Sequence, residues 1–152
     1  MTDVLVTGPG DGEVIQLGPT QIRILEDGRS TEHRLGLGEI TLAPRTQGPP
    51  QHRHAAHDEG FYVVSGTAQF TVGDTTYDAP AGTVVMIPPG APHTFANPSD
   101  ETTVLLNTFT PDLYVQYFRD LRDMISSGEN LTPEAVVQLM NRYSTVPATN
   151  YA

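Results

Sequence analysis

The stretch "QHRHAAHDEGFYVVSG", residues 51–66, gathers three of the chain's five histidines, an aspartate and a glutamate, and then turns apolar. His52 and His54 are two apart. In a strand, residues at that spacing project from the same face, close enough for both imidazoles to share one ion. Glu59 lies five residues further on, beyond a turn for which Ala55-Ala56-His57-Asp58 leave room. The alternation Glu59, Phe61, Val63 places the carboxylate on a face whose other members are apolar, and that face is read as inward-looking. An uncompensated carboxylate there is costly to bury, and a metal cation would compensate it.

A second stretch completes the pattern. In "GTVVMIPPGAPHTFAN", residues 82–97, a β-prone run ends at Pro88-Pro89-Gly90 and restarts at His93. Gly90 between prolines predicts a sharp, fixed turn that aims His93 back across the sheet beside Phe95.

Together the two stretches resemble the motifs of the cupin superfamily. The first motif has the form G-x5-H-x-H-x3or4-E-x6-G, and His52, His54, Glu59 and Gly66 keep every spacing from the first histidine onward. The leading glycine departs: Gly48 is separated from His52 by three residues, two of them proline, which affects only the loop leading in. The second motif, G-x5-P-x-G-x2-H-x3-N, is met by Gly82, Pro88, Gly90, His93 and Asn97. The resemblance implies an all-β fold, a double-stranded β-helix or jelly-roll-type barrel. It also implies a metal in the barrel's mouth, held by His52, His54, Glu59 and His93. Three imidazoles and one carboxylate suit a single divalent transition ion, whether Fe, Ni, Mn, Cu, Co or Zn. Four protein ligands leave one or two positions open if the ion is five- or six-coordinate, and an open position permits catalysis.

The rest of the chain agrees with such a frame. Fourteen Gly and 13 Pro are spread through 152 residues, as expected for short strands joined by tight turns. Runs such as "EVIQL", "TQIRIL", "EITLA", "AQFTV", "TTYDA" and "TTVLLNTFT" are each bounded by turn residues, and Gly73-Asp74 predicts a hairpin turn. The pattern changes at Thr110. Thr110 and Pro111 predict the start of a helix that carries Leu113, Tyr117, Leu121, Met124 and Ile125 on one face and stops at Gly128. A second helix is predicted from Thr132-Pro133-Glu134, with its apolar face ending before Pro147. The expected organisation is a β-barrel over residues 1–110 and a C-terminal helical extension over 111–152, packed on the same domain.

Composition narrows the function. A net charge of -10 without an arginine patch argues against nucleic acid and anionic membrane as partners. All eight basic residues are Arg, so a lysine Schiff base and a P-loop lysine are excluded, and the absence of Cys excludes thiolate chemistry. No apolar run reaches the roughly 18 residues of a membrane span, and the expectation is a cytoplasmic protein.

Other residues receive more ordinary readings. His57 is expected to be a solvent-facing turn residue, although a ligand in place of Glu59 or a base behind the ligands is an alternative. Asn97 is expected to hold the turn after its strand, Tyr62 to point outward, and His33 to be a solvated loop residue. Phe61, Phe70, Met86 and Phe95 are expected in the core and in part on the cavity wall, with Asn107 as a polar contact in the pocket. The resemblance, with the exposed edges of short sheets, also leads to the expectation of a homodimer.

The functional expectation is a metal-dependent oxygenase acting on an aromatic or polyketide-like phenol, similar to quercetinase-like cupins, with Glu59 as ligand and proton acceptor. The alternatives are a non-oxidative cyclase or isomerase, similar to cupin polyketide cyclases, in which the ion is a Lewis acid, and a small-molecule-binding protein without turnover.

Overall fold

A computed structural model describes residues 3–128 and 131–148. The turn-bounded runs of the sequence become the strands β1 (Glu13–Leu17), β2 (Thr20–Glu26), β3 (Gly36–Leu42), β4 (His52–His54), β5 (Asp58–Ser65), β6 (Thr67–Val72), β7 (Thr75–Pro80), β8 (Val84–Ile87), β9 (His93–Ala96) and β10 (Thr103–Thr110). They are followed by helices α1 (Val115–Ser126) and α2 (Pro133–Arg142) and by the short strand β11 (Thr145–Pro147). The strands form two antiparallel sheets, ordered β1-β2-β3-β10-β5-β8 and β11-β4-β9-β6-β7, in the jelly-roll arrangement. Gly73-Asp74 makes the two-residue turn of the β6–β7 hairpin.

Strand alternation decides what faces inward. On β10, Thr103, Leu105, Asn107 and Phe109 are buried while the residues between them are not. Facing layers meet in an apolar centre where the buried Phe61 and Phe70 rings lie 5.1 Å apart and the half-buried Phe95 sits 5.4 Å from Phe61. Burial of each such side chain contributes about 1.5–3 kcal/mol. Tyr62, of opposite parity, is exposed. Met86 is on the exposed side of β8, with 61% of its surface accessible. It is therefore not a wall residue: its strand pairs at the sheet edge with its side chain turned away from the core.

The C-terminal region departs from expectation at both ends. Thr110 does not open a helix; it is the last residue of β10, paired with Asp58 of β5, and α1 begins only at Val115 with Tyr114 at its N-cap. The chain must first clear the sheet, and Asp112 is held there by His33, whose Nδ1 lies 2.9 Å from Asp112 Oδ2. The second helix begins as predicted: Thr132 Oγ1 accepts from the Ala135 N–H at 3.1 Å, and Pro133 takes the first helical position. After α2 the chain becomes extended again, and β11 adds an unanticipated strand beside β4, with Thr145 opposite His54 and Pro147 opposite His52.

The helices close one end of the barrel. Arg119 ties α1 to β1 and to the loop after β2, through Glu13 at 2.9 Å and Asp27 at 3.0 Å. The Tyr143 hydroxyl, just past α2, donates to Asp120 of α1. Among the described residues no helix is long and apolar enough to cross a membrane.

Candidate metal centre and its cavity

The two histidine-bearing strands are neighbours. In the β4–β9 pairing His52 stands directly opposite His93, and His54 follows on the same face of β4, where both β4 histidines are buried and Arg53 between them is less so. The turn that delivers His93 is built around Gly90, whose φ of +88° lies in the left-handed region. Its N–H is anchored to the His54 carbonyl at 2.8 Å. Gly48, the displaced glycine of the first motif, is also required sterically: a Cβ there would stand 1.5 Å from the Phe95 carbonyl oxygen of β9. Asn97 performs the turn role expected of it, its Nδ2 donating to the Leu42, Ala43 and Glu101 carbonyls.

Glu59 approaches from the other sheet, on β5, so the cluster bridges the two layers. One ligand atom from each of His52, His54, Glu59 and His93 lies within 4.8 Å of all the others, and all four residues are buried. Glu59 Oε2 is 2.8 Å from His54 Nε2 and 2.9 Å from His93 Nε2. Its other oxygen, Oε1, accepts from Asn107 Nδ2 at 3.2 Å, and that amide also donates to the Gly60 carbonyl at 3.0 Å. Asn107 is thus the residue that fixes the carboxylate's orientation.

The partners of the outer ring nitrogens set the protonation. His52 Nδ1 faces the Pro50 carbonyl at 3.0 Å and His93 Nδ1 the Ala91 carbonyl at 2.9 Å, and a carbonyl can only accept. His54 Nδ1 faces Thr145 Oγ1 at 2.7 Å; that hydroxyl gives its own proton to the Tyr143 carbonyl at 3.0 Å and so accepts from His54. In all three neutral rings the proton is therefore on Nδ1, and the Nε2 lone pairs turn inward. Lone pairs of imidazole and carboxylate at 2.8–2.9 Å need a cation between them. A proton satisfies one such pair, whereas a metal ion satisfies the set. His54 Nε2, buried and 2.8 Å from Glu59 Oε2, makes no aligned hydrogen bond there, which fits this donor set to a divalent ion.

The electrostatics agree. Burial pushes the Glu59 carboxyl up, but contacts with His54 and His93 outweigh it and hold the group well below the usual carboxylate range. Burial, reinforced by neighbouring His93, lowers His52 to about 4. Burial also acts against protonation of His93, but its bond to Glu59 prevails and raises it.

His57 is not the solvent-facing residue expected. It is 1% exposed, its ring 4.3 Å from that of His54 and 5.5 Å from that of Tyr114, and neither ring nitrogen has a hydrogen-bond partner. The turn at Ala55-Ala56 is tight enough that His57 already faces the interior as β5 begins. Burial, with His54 beside it, lowers it to about 4. It lies outside the group of four convergent ligand atoms.

The cluster opens onto a cavity of about 620 Å³ lined by His52, Glu59, Asn107 and Phe95, by Ile22 and Ile40 of the barrel, and by α1 and α2. Phe61 and Phe70, expected in part on this wall, lie instead in the core beneath it. Two contributors escaped the sequence reading. Thr145 carried no signal, because nothing local marks it as the partner of a residue 91 positions away. Tyr114 precedes a helix face whose apolar spacing was legible, but only its distance from the cage shows what it touches.

Comparison with known proteins agrees with this arrangement. The cupin domain model matches residues 38–109. An uncharacterized protein of Streptomyces coelicolor is 43% identical over 81 residues, which cover 53% of this chain and 73% of that relative. The polyketide cyclase RemF from Streptomyces resistomycificus superposes with a TM-score of 0.63 at 23% identity, covering 71% of this chain and 80% of that one. An RmlC-like cupin from Shewanella frigidimarina gives 0.60 at 24% identity, covering 73% and 95%. At these identities the structures share the fold. With both motifs placed on facing strands around one point, the chain belongs to the cupin superfamily.

Proposed function

We propose that this protein is a metal-dependent oxygenase acting on a flat, mostly apolar phenolic small molecule, with His52, His54, Glu59 and His93 as the ligands of one divalent transition ion. The observation that carries this reading is the cavity: the cluster meets it through His52 and Glu59, and among the described residues its largely apolar wall contains no Arg, so a multiply charged substrate would find no counter-charge in the protein. A bound ion supplies Lewis-acid polarisation of a substrate oxygen and, when redox-active, electron exchange with dioxygen. The chain's own groups do the remainder. Ile22, Ile40, Phe95 and the helices exclude water. Among the described residues Glu59 is the one carboxylate on the wall, and a phenolic proton released there passes to its oxygen. The contacts that keep Glu59 ionised also make it a weak base, so its ligand role outranks its proton-accepting role.

A second reading, a non-oxidative cyclase or isomerase on a polyketide-like phenol, is favoured by the unpartnered imidazole of His57 next to the cage and Tyr114, groups able to hold a proton without oxygen. The shared fold with a polyketide cyclase is compatible with it. The test is elemental analysis of protein purified without added metal, followed by turnover of a flavonol under air and under argon. Loss of flavonol absorbance only under air is expected. An undiminished rate under argon would refute the oxygenase and favour the second reading, and tight binding without turnover in either gas would refute both.

A further inference from the structure

Tyr114 and Tyr117 are stacked face to face, with ring centroids 4.5 Å apart and planes 19° apart, and both form part of the cavity wall. Stacking three residues apart across the start of α1 sends both phenols toward the same side. The composition of the wall gives this pair its meaning. On the barrel side most polar groups are committed, Asn107 to Glu59 and Gly60, Gln51 to both backbone groups of Gly73 and His52 to Pro50, while Thr20 and the exposed Gln47 also reach the wall. On the helical side, the remaining described wall residues from Phe118 to Pro147 carry no side-chain nitrogen or oxygen. Among the described residues the two phenol hydroxyls are thus the side-chain hydrogen-bonding groups of the C-terminal cover; that of Tyr114 donates to that of Tyr117, whose own proton is left for a ligand. An apolar pocket with a few convergent polar groups selects ligands by those groups.

We propose that Tyr114 and Tyr117 are specificity-determining residues that receive a second oxygen of the substrate, remote from the oxygens that face the cage, so that the ligand class is a planar, polyhydroxylated ring system. This rests on the proposed function of the same site. Burial raises Tyr114 well above the usual phenol value and raises Tyr117 as well, so both stay neutral throughout the physiological range, with Tyr114 donating to Tyr117 and Tyr117 able to donate onward. A site built to satisfy a ligand hydroxyl discriminates against the analogue lacking it, because a buried polar group is then left unpaired.

The experiment uses the full chain loaded with zinc, which suppresses redox turnover, and two flavonol probes that share the 3-hydroxy-4-keto pair. 3-Hydroxyflavone has no further hydroxyl; quercetin has four more. Wild type is expected to bind quercetin at least about tenfold more tightly, the worth of one to two hydrogen bonds. In Tyr117→Phe, and further in the Tyr114→Phe/Tyr117→Phe double variant, that preference should collapse to within about twofold, with 3-hydroxyflavone affinity and zinc content unchanged. Equal binding of the two probes by wild type, or a preference that survives the double variant, would overturn the assignment while leaving the metal site and its phenolic ligand class intact. Failure of wild type to bind either flavonol would overturn the proposed function and this inference with it.

Discussion

The barrel and the C-terminal extension contribute to one site in different ways. The barrel supplies all four convergent donors, on strands whose burial alternates cleanly and whose centre includes Val63, Ala68, Phe70 and Leu105 at 0% exposure. The extension has few fully buried side chains, Leu139 and Thr145 among them, and supplies none of the donors. It supplies orientation and cover instead: Thr145 fixes the His54 ring, and α1 and α2 roof the cavity. Ligand identity is a property of short local segments, whereas ligand orientation and substrate shape come from chain that is distant in sequence.

Five substitutions test that division. The largest effect should come from His93→Ala, which removes a donor outright. Metal content by elemental analysis should fall beyond the roughly 10- to 100-fold that the loss of an outer partner costs. Full occupancy would break the assignment of donors to the barrel. Next, Phe70→Ala should destabilise the protein by about 3–5 kcal/mol, while Leu139→Ala should cost about 2 kcal/mol, the low end of its class, because its neighbours can settle toward the cavity. Urea unfolding measures both, and equal costs would mean that the extension is as integral to the core as the sheets.

A pH dependence sharpens the comparison at the boundary between the two regions. His52 and His57 are lowered to about 4 in the folded protein against an ordinary 6.5. Between those values the unfolded chain binds more protons, so stability without metal must fall as pH drops from 6.5 to 4, by up to about 3 kcal/mol for each group. His93, raised by Glu59, contributes in the opposite sense. Its stabilisation is complete below 6.5 and is lost as pH rises through its folded value, so it does not offset the acid decline. His57→Leu should flatten that decline with metal content unchanged. An unaltered slope would show that His57 is solvated. The smallest effect should be that of Thr145→Val, isosteric but unable to accept from His54 Nδ1. Metal affinity in chelator competition should fall about tenfold, and an unchanged affinity would reduce the extension to a cover.

Much of the barrel was readable because its signals are local. Period-two alternation, turn residues and the spacing of His52, His54, Glu59 and His93 each act within a few residues, so the strands fell where expected. His57 was misread because parity across the Ala55-Ala56 turn cannot be counted without knowing how the turn bends. The start of α1 was misplaced because Thr110 and Pro111 carry good helix-start chemistry, yet the β10–β5 ladder holds Thr110 in the sheet and pairing with a distant strand overrides local propensity. β11 was missed for the converse reason: three residues have no periodicity of their own and become a strand only because β4 offers an open edge.

The linear order of residues determined which side chains meet: two imidazoles two apart on one strand, a carboxylate on an apolar face and a third imidazole behind a glycine turn, since strand geometry and turn chemistry are short-range. Only the folded arrangement decided how those groups are protonated and what surrounds them. The direction of each Nε2 lone pair depends on acceptors at Pro50, Ala91 and Thr145, and the character of the cavity depends on helices laid across the mouth of the barrel. Both follow from contacts that chain spacing does not specify.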